Sequence, residues 1–230
     1  IAIAPEGKYL RMIKDAGIET VSYGIERKSL NPMKEIKAIQ NIYEAIKPLN
    51  LDILHTFTAK PNIYGTIAGR LARVPKIINL VEGLGSFYLE NDIKSRAVRA
   101  VIEGLYKRIF RLSNAVMFVN SDDPEYLLQK GIIDPKKIFK INGVGIDTKE
   151  WSKKERAKEP LTVVMVARLI RHKGVLEYLE ACNNLKAKYP NVRFLYVGGE
   201  DFGNHSSLKK EIFNDFSGVE YLGEDRKSVV

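Results

Sequence analysis

Short apolar runs alternate with amphipathic segments along almost the whole chain, and this alternation constrains the fold more than any other feature. Several of the runs are continuously apolar, and residues 163–166 (VVMV) are the clearest example. Continuous apolar runs are typical of parallel strands that are covered by helices on both faces. Amphipathic segments between them predict the connecting helices. We therefore predict an α/β fold with parallel sheets, built from doubly wound, Rossmann-like units.

The apolar runs and their boundary residues give the predicted elements. The predicted strands are residues 1–4, 19–23, 53–56, 76–81, 115–120, 138–142, 162–167, 193–197 and 219–222. The predicted helices are residues 7–16, 33–46, 63–72, 92–111, 124–130 and 175–188. Gly17 follows the first helix, while Pro48 and Pro190 follow two others, and both residue types commonly end helices.

The segment 147–160 (DTKEWSKKERAKEP) breaks the alternation, because it is polar, highly charged and ends in proline. Such composition is typical of a linker between domains. We predict a first unit over residues 1–150, a linker over 151–160 and a second unit over 161–230. The second unit is short for a Rossmann sheet, and the chain opens at Ile1 on the end of a strand. We therefore expect this sequence to be part of a longer protein that extends at both ends.

Charge and residue counts narrow the classes of partner. The net charge of +9 favours anionic partners such as nucleotides, acidic lipid headgroups or nucleic acid. The single cysteine, Cys182, excludes a disulfide framework, and its apolar neighbours predict a small packing residue. The three histidines have no metal-ligand spacing, so we expect no metal site built by the protein.

A basic segment follows the predicted strand 162–167 and is the strongest candidate site. Arg168, Arg171 and Lys173 precede Gly174, where a helix begins. Ligands of open α/β sheets bind beyond the carboxyl ends of strands, and a helix N-terminus there favours anions. Basic side chains oppose the helix dipole at that end, so stability does not require them. The segment therefore predicts a phosphate site, and a solvated basic turn is the alternative.

Two further groups follow predicted strands. Glu82 comes before Gly83 and Gly85, which predict a tight turn or a close backbone approach to a ligand, and Glu82 is a candidate acid, base or hydroxyl acceptor. A simple glycine turn is the alternative, and the spacing does not support a dinucleotide site. His55 and Lys60 are placed just past another strand. For His55 a structural role is the alternative.

The predicted helix 92–111 is amphipathic and basic. Its apolar stripe consists of Val98, Val101, Ile102, Leu105, Ile109 and Leu112. Its positive charges are Lys94, Arg96, Arg99, Lys107, Arg108 and Arg111. A helix of this kind can lie on an anionic membrane. The alternative is an ordinary surface helix whose stripe packs in the core.

Together these motifs resemble the retaining GT-B glycosyltransferases of family 4. The run 168–174 (RLIRHKG) is similar to the family's R-x-x-x-x-K-G motif, and residues 141–147 (INGVGID) are similar to its N-G-V-D segment. Residues 194–200 (FLYVGGE) resemble the next strand and loop of the donor domain. The run 81–88 (VEGLGSFY) is similar to the undecaprenyl-diphospho-bacillosamine α-1,3-N-acetylgalactosaminyltransferases. The resemblance covers nearly the whole chain.

The resemblance implies a GT-B fold, with an N-terminal acceptor domain and a C-terminal nucleotide-sugar domain. Arg168 and Lys173 would stabilise the leaving diphosphate. The implied donor-binding residues are Arg168, Lys173, Gly174, Gly199 and Glu200. The implied acceptor-binding residues are His55, Lys60, Glu82, Gly83 and Gly85. The catalytic candidates are Arg168, Lys173 and Glu82. Many members of the family carry a histidine at the position of Glu82.

The resemblance also implies an activity. The enzyme would move a sugar, expected to be an N-acetylhexosamine, from a UDP-sugar to an undecaprenyl-diphosphate-linked glycan with retention. It would work in the cytoplasm, peripherally bound to the anionic inner face of the plasma membrane, with no metal and no cofactor beyond the UDP-sugar. The family's glycine-containing first loop and paired glutamates are absent from these residues. We therefore expect this chain by itself to be inactive.

Two other functions fit parts of the same pattern. A UDP-sugar epimerase of the same architecture would interconvert free sugar nucleotides without a lipid acceptor. A basic nucleic-acid-binding module would show strongly salt-dependent binding. We rank the second lower and expect no nucleic-acid partner, since the basic residues are not interleaved with exposed aromatic residues.

Overall fold

A computed structural model describes residues 1–25, 31–143, 145–149, 151, 160–202, 204 and 206–224. The chain divides into two compact units, Ile1–Ile146 and Asp147–Val230. Most of the segment that we predicted as a linker lies outside the described residues. Each unit has its own hydrophobic core, so each is described by itself.

The first unit is an α/β unit with parallel strands. Its strands are Ala2–Ala4 (β1), Thr20–Ser22 (β2), Ile53–Phe57 (β3), Lys76–Val81 (β4), Ala115–Phe118 (β5) and Ile138–Lys140 (β6). Its helices are Lys8–Asp15 (α1), Pro32–Ile46 (α2), Ala59–Leu71 (α3), Ile93–Leu112 (α4) and Asp122–Gln129 (α5). One sheet has the order β3-β4-β5-β6, and β1 pairs with β2. Every predicted strand and helix of this unit coincides with an observed one, with shifts at the ends.

The second unit contains a three-stranded parallel sheet of the order β7-β8-β9. Its elements are Thr162–Val166 (β7), Val175–Lys188 (α6), Arg193–Val197 (β8) and Glu220–Tyr221 (β9). Helix α6 packs Val175, Leu179 and Cys182 against Phe194 and Tyr196 of β8. The buried thiol of Cys182 therefore acts as a packing group, as the sequence predicted.

Strand β7 differs from our expectation of a strand covered on both faces. Val163, Val164 and Val166 are 40%, 52% and 61% exposed. The core of this unit is centred on β8, whose Phe194 and Tyr196 pack with α6, whereas β7 lies at the edge of the described sheet. The continuous apolar run therefore predicted a strand correctly, but it did not predict which faces of that strand are buried.

Local signals explain where the long helices begin. The Asn31 side chain accepts a hydrogen bond from the Met33 N–H, and Pro32 occupies the first turn of α2. The Asp92 carboxylate accepts from the N–H groups of Lys94 and Ser95 at the start of α4. Such caps satisfy backbone donors that a helix leaves unpaired.

Helix α4 divides its apolar stripe between core and solvent. Ile109 is buried, and Ile102 and Leu105 pack against the core of the first unit. Val101 and Leu112 are 63% and 43% exposed. The core interpretation thus holds for Ile102, Leu105 and Ile109, while Val101 and Leu112 keep apolar groups outside the core. No helix among the described residues is long and apolar enough to cross a bilayer.

Helix α3 lies very close to the sheet, because two of its residues that face the sheet, Gly65 and Gly69, have no side chain. A Cβ atom on Gly65 would lie 2.8 Å from the Thr56 side chain. A Cβ atom on Gly69 would lie 2.8 Å from Leu54 Cδ2 and 3.0 Å from Ile77 Cδ1. The absence of side chains at these positions therefore sets the distance between α3 and strands β3 and β4.

Two glycine substitutions test this packing. Gly69→Ala is expected to lower the free energy of unfolding by about 1–3 kcal/mol, because the added methyl group overpacks the core. Gly104→Ala is the matched control in α4, where nothing lies within 4 Å, and it should raise that free energy by about 0.5–1 kcal/mol. Urea unfolding followed by circular dichroism measures both. Equal stability of the two variants would contradict the close approach.

Candidate functional site

The basic junction, which we define as residues 168–174, connects β7 to α6. Arg168, Arg171 and Lys173 are exposed, and residues Arg171–Lys173 form a 3₁₀ turn. Gly174 follows with a φ of 77°, a left-handed conformation that glycine adopts without strain. The junction therefore presents three cations beyond the carboxyl end of a parallel strand, where ligands of such sheets bind.

Helix α6 begins at the end of the basic junction. No side chain caps its N-terminus, because the N-cap position is Gly174. The first N–H groups of the helix therefore receive no side-chain cap, and the partial positive charge of the helix end adjoins the basic junction in sequence. Together the helix end and the cations form a local environment that suits a phosphate group.

The structure brings three predicted donor-binding residues to the same sheet edge. The Leu169 N–H donates to the Gly199 carbonyl at 2.9 Å, and Leu169 forms a bridge with Glu200. Arg168 therefore lies beside the loop that follows β8. The Glu200 carboxylate accepts a hydrogen bond from the Lys210 N–H at 2.8 Å, which ties the loop to the next segment.

Tyr196 of β8 binds the backbone at the start of the basic junction. Its hydroxyl donates to the carbonyls of Ala167 and Arg168 at 3.0 and 3.3 Å, and its side chain is fully buried. Burial raises the pKa of Tyr196 to about 12, so the hydroxyl stays protonated and remains a donor at neutral pH. This contact holds the start of the junction in place.

A cavity of about 690 Å³ opens beside the loop that follows β8. Its lining combines three carboxylates, two lysines and two aromatic rings. The lining residues are Gly199, Glu200, Phe202, Lys209, Lys210, Glu211, Tyr221 and Glu224. The cavity is large enough for a drug-sized ligand and adjoins the residues that pair with the basic junction.

Arg168 has a partner that the sequence did not reveal. Its Nη1 atom lies 2.7 Å from Oδ2 of Asp201. The two residues are 33 positions apart and belong to different loops, so no local spacing signals the ion pair. Lys173 forms no ion pair or side-chain hydrogen bond within the described part of the chain.

In the first unit, Glu82 and the glycine loop (residues 83–88) follow β4. Glu82, Gly83 and Gly85 are exposed, and Gly85 has a φ of 90°, which glycine accommodates. Strand β4 pairs with β3 in parallel register. The ends of both strands therefore bring Glu82 and the start of α3 to the same sheet edge.

Arg99 of α4 holds the glycine loop. Its guanidinium donates to the Phe87 carbonyl at 2.9 Å and to the Glu90 carbonyl at 2.6 Å. It also lies 5.4 Å from the ring centre of Tyr88, a cation–π distance. Burial, followed by the charge of Glu103, raises the pKa of the Tyr88 hydroxyl. One basic residue of α4 is therefore committed to positioning a loop.

Lys60 lies just past β3 as predicted, whereas His55 does not. His55 is not past a strand but in the middle of β3, where it pairs in register with Ile78 and its ring lies 4.4 Å from that of Phe57. The predicted strand 53–56 already included this position, and the observed strand runs one residue further, to Phe57. Desolvation lowers the pKa of His55, and this favours the neutral ring at neutral pH.

Lys60 occupies the first turn of α3 and binds Glu35 of α2. Its ammonium lies 2.9 and 3.0 Å from the two carboxylate oxygens, and Tyr64 donates to the same carboxylate at 2.5 Å. Burial, followed by the hydrogen bond to Glu35, raises the pKa of Tyr64. A ligand anion at Lys60 would therefore compete with Glu35.

The turn between β3 and α3 is strained. Thr58 has a φ of 71° and a ψ of 165°, a region that β-branched residues rarely occupy. Below it, the buried Asn79 amide donates to Thr56 and Thr66 at 2.7 and 2.9 Å. Asn62 also joins this network through Thr56. The network fixes the turn against the sheet, and sequence periodicity gave no sign of it.

No group of three or more His, Cys, Asp or Glu side chains within the described residues could hold a metal ion.

Comparisons with known proteins agree on the kind of protein. The profile of the family described as "Glycosyl transferase 4-like" matches residues 1–120, and that described as "Glycosyl transferases group 1" matches residues 147–216. The chain is 35% identical, over 96% of its length, to an N,N'-diacetylbacillosaminyl-diphospho-undecaprenol α-1,3-N-acetylgalactosaminyltransferase of Campylobacter jejuni. It is 28% identical, over 77% of its length, to a UDP-Gal:α-D-GlcNAc-diphosphoundecaprenol α-1,3-galactosyltransferase of Escherichia coli. It spans 61% and 48% of these two relatives.

Similarity to solved structures supports the fold. The MnaA–UDP structure from S. aureus aligns with a TM-score of 0.54 and 15% identity, covering 97% of this chain and 68% of that one. This likeness and the parallel sheets confirm the predicted fold class, α/β of the GT-B type.

Gly198 offers a test of the geometry at the basic junction. A Cβ atom there would lie 1.7 Å from the Ala167 carbonyl oxygen, so Gly198→Ala should destabilise the second unit by about 3 kcal/mol. Gly223→Ala is the control, since Gly223 also has positive φ (78°) but nothing within 4 Å, and it should cost about 1–2 kcal/mol. Hydrogen exchange of the β7 and β8 amides measures both. If Gly198→Ala lost less protection against hydrogen exchange than Gly223→Ala, the close approach of Gly198 to the Ala167 carbonyl would be contradicted.

Proposed function

The chain belongs to the glycosyl transferase 4-like family, and we propose that it is part of a retaining glycosyltransferase that uses a UDP-sugar donor. The acceptor is a glycan linked to undecaprenyl diphosphate, and the sugar transferred is an N-acetylhexosamine. The names of the two curated relatives, which both describe transfer to diphosphoundecaprenol-linked acceptors, support this assignment.

The observation that carries the proposal is the basic junction beside a cavity at one sheet edge. In our proposal, Arg168 and Lys173 bind the donor diphosphate together with Gly174 and the N–H groups that begin α6. Gly199 and Glu200 contact the rest of the donor, whose nucleoside enters the 690 Å³ cavity. Cations at the diphosphate replace a metal, so we propose that the reaction needs none.

The same residues supply the main catalytic effect. As the bond between the sugar and the diphosphate breaks, negative charge grows on the leaving UDP oxygen. A guanidinium and an ammonium that are already in place stabilise that charge more than they stabilise the intact donor. Arg168 and Lys173 therefore act on the transition state, and the new bond forms on the sugar face from which UDP departs.

The acceptor contacts the first unit in our proposal. Glu82 stands beyond β4 with an exposed carboxylate and can accept a hydrogen bond from a sugar hydroxyl, or its proton during transfer. Gly83 and Gly85 allow the backbone to approach the acceptor. Lys60 and His55 contribute from the neighbouring strand and helix, Lys60 by exchanging Glu35 for the acceptor diphosphate.

We also propose that the outer face of α4 contacts the anionic inner surface of the plasma membrane. Residues on this face lie three or four positions apart, and each is exposed. They are Ile93, Ala97, Ala100, Val101 and Gly104. Ile93 is 86% exposed, and exposed basic side chains flank the strip. An apolar strip with basic flanks suits a bilayer surface.

Substitution of Lys173 tests the donor site. In the full-length protein, Lys173→Ala should lower the rate of transfer from UDP-sugars by roughly 10²-fold, as the loss of a preorganised charge predicts. Lys188→Ala, at an exposed position in the last turn of α6, is the control and should leave the rate unchanged. Product analysis with and without acceptor identifies the reaction. Transfer by Lys173→Ala within twofold of the parent, or acceptor-independent interconversion of UDP-sugars, would contradict the proposal.

Charge reversal on α4 tests the membrane contact separately. Arg96→Glu with Arg108→Glu should weaken binding to phosphatidylglycerol vesicles at least tenfold, since each basic residue contributes about 1 kcal/mol near an anionic surface. Lys136→Glu with Lys188→Glu changes the net charge equally at exposed sites outside α4. Cosedimentation with the vesicles measures binding. Equal losses in both double variants would show a general charge effect and refute an α4 contact.

A further inference from the structure

The ion pair between Arg168 and Asp201 lies inside the proposed donor site. Asp201 Oδ2 accepts from Arg168 Nη1 at 2.7 Å. Among the residues that the structure describes, Asp201 is the one acceptor of the Arg168 side chain. A guanidinium has five N–H donors in a rigid fork. A single contact at Nη1 therefore fixes the fork's position while leaving donors for two phosphate oxygens.

The two side chains of this ion pair differ in how exposed and how restrained they are. The Arg168 side chain is 64% exposed, whereas that of Asp201 is 24% exposed. Asp201 Oδ2 also accepts from the Asn204 side-chain amide at 3.2 Å, and the Asp201 carbonyl accepts from the Asn204 N–H at 3.0 Å. Asp201 is thus the anchored member, and Arg168 is the member that can reach a ligand.

The segment that carries Asp201 is fastened to the basic junction itself. The Ser206 carbonyl accepts from the Arg171 N–H at 3.0 Å. The Leu208 N–H donates to the Leu169 carbonyl at 2.8 Å. These backbone bonds lie on the same short stretch as Arg168. The distance between the Asp201 carboxylate and the junction is therefore set by backbone contacts rather than by the long arginine side chain.

We propose that Asp201 is a positioning residue that holds the Arg168 guanidinium ready for the donor diphosphate. The inference rests on the proposed donor site and adds a residue to it. A long arginine side chain loses rotational freedom when it binds a ligand. An anchored carboxylate that restrains it beforehand reduces this loss on binding. Asp201 does not touch the diphosphate but acts through Arg168.

The charge of Asp201 has a second, opposing effect. A carboxylate near a diphosphate repels it, and the pair is partly exposed, so this repulsion is moderate. An asparagine at this position keeps an oxygen that can accept from Nη1 and removes the charge. Asp201→Asn and Asp201→Ala therefore separate positioning from charge, because alanine removes both.

A double-mutant cycle tests the inference with UDP and inorganic pyrophosphate as titrated ligands, measured by calorimetry on the full-length protein. Asp201→Ala should weaken UDP binding about fivefold, and Asp201→Asn should stay within about twofold of the parent or bind more tightly. In an Arg168→Ala background, Asp201→Ala should cause no further loss, since its effect passes through Arg168. Thermal unfolding checks that each variant is folded.

The outcomes separate this inference from the proposed function. Normal UDP binding by the parent, with an equal loss from Asp201→Ala in both backgrounds, would show a structural role and overturn the inference alone. Tighter binding by Asp201→Ala would show competition instead of positioning and overturn it too. Binding of pyrophosphate with the expected coupling, but no binding of UDP, would support the inference and overturn the nucleotide assignment. Binding of neither ligand by the parent would overturn both.

Discussion

The carboxyl ends of β7 and β8 lie so close together that Gly198 has no room for a side chain against the Ala167 carbonyl. The proposed donor site of the second unit depends on this approach. It places Leu169 within hydrogen-bond distance of Gly199 and lets Tyr196 reach the backbone of the basic junction. The cations of the junction are long and flexible, but the backbone that carries them is fixed by contacts of this kind.

The first unit organises its candidate site by another means. There, side chains hold the loops: Arg99 binds two carbonyls of the segment after β4, and Glu35 holds Lys60 at the start of α3. The two units therefore differ in what ligand binding requires. In the proposed function, Arg168 binds the donor without any change in its backbone contacts, whereas Lys60 exchanges Glu35 for the acceptor.

The sequence was sufficient for the elements, since continuous apolar runs, prolines and N-cap residues are local signals, and every predicted strand and helix has an observed counterpart. It was insufficient for the contacts. The Arg168–Asp201 and Lys60–Glu35 pairs join residues 33 and 25 positions apart, and periodicity carries no information about such pairs. The stripe of α4 shows a related limit, because helical spacing defines a face but not what covers it. His55 was expected to follow a strand although the predicted strand 53–56 already contains it, and it lies within β3.

The unpaired edge of β7 has a consequence for the behaviour of this chain in solution. Within the described sheet it presents a row of backbone donors and acceptors flanked by exposed valines, and such edges recruit strands from other molecules. A strand paired to this edge would protect the chain from sheet-to-sheet aggregation. Protection from aggregation and the proposed donor binding are thus linked in one element, since β7 leads directly into the basic junction.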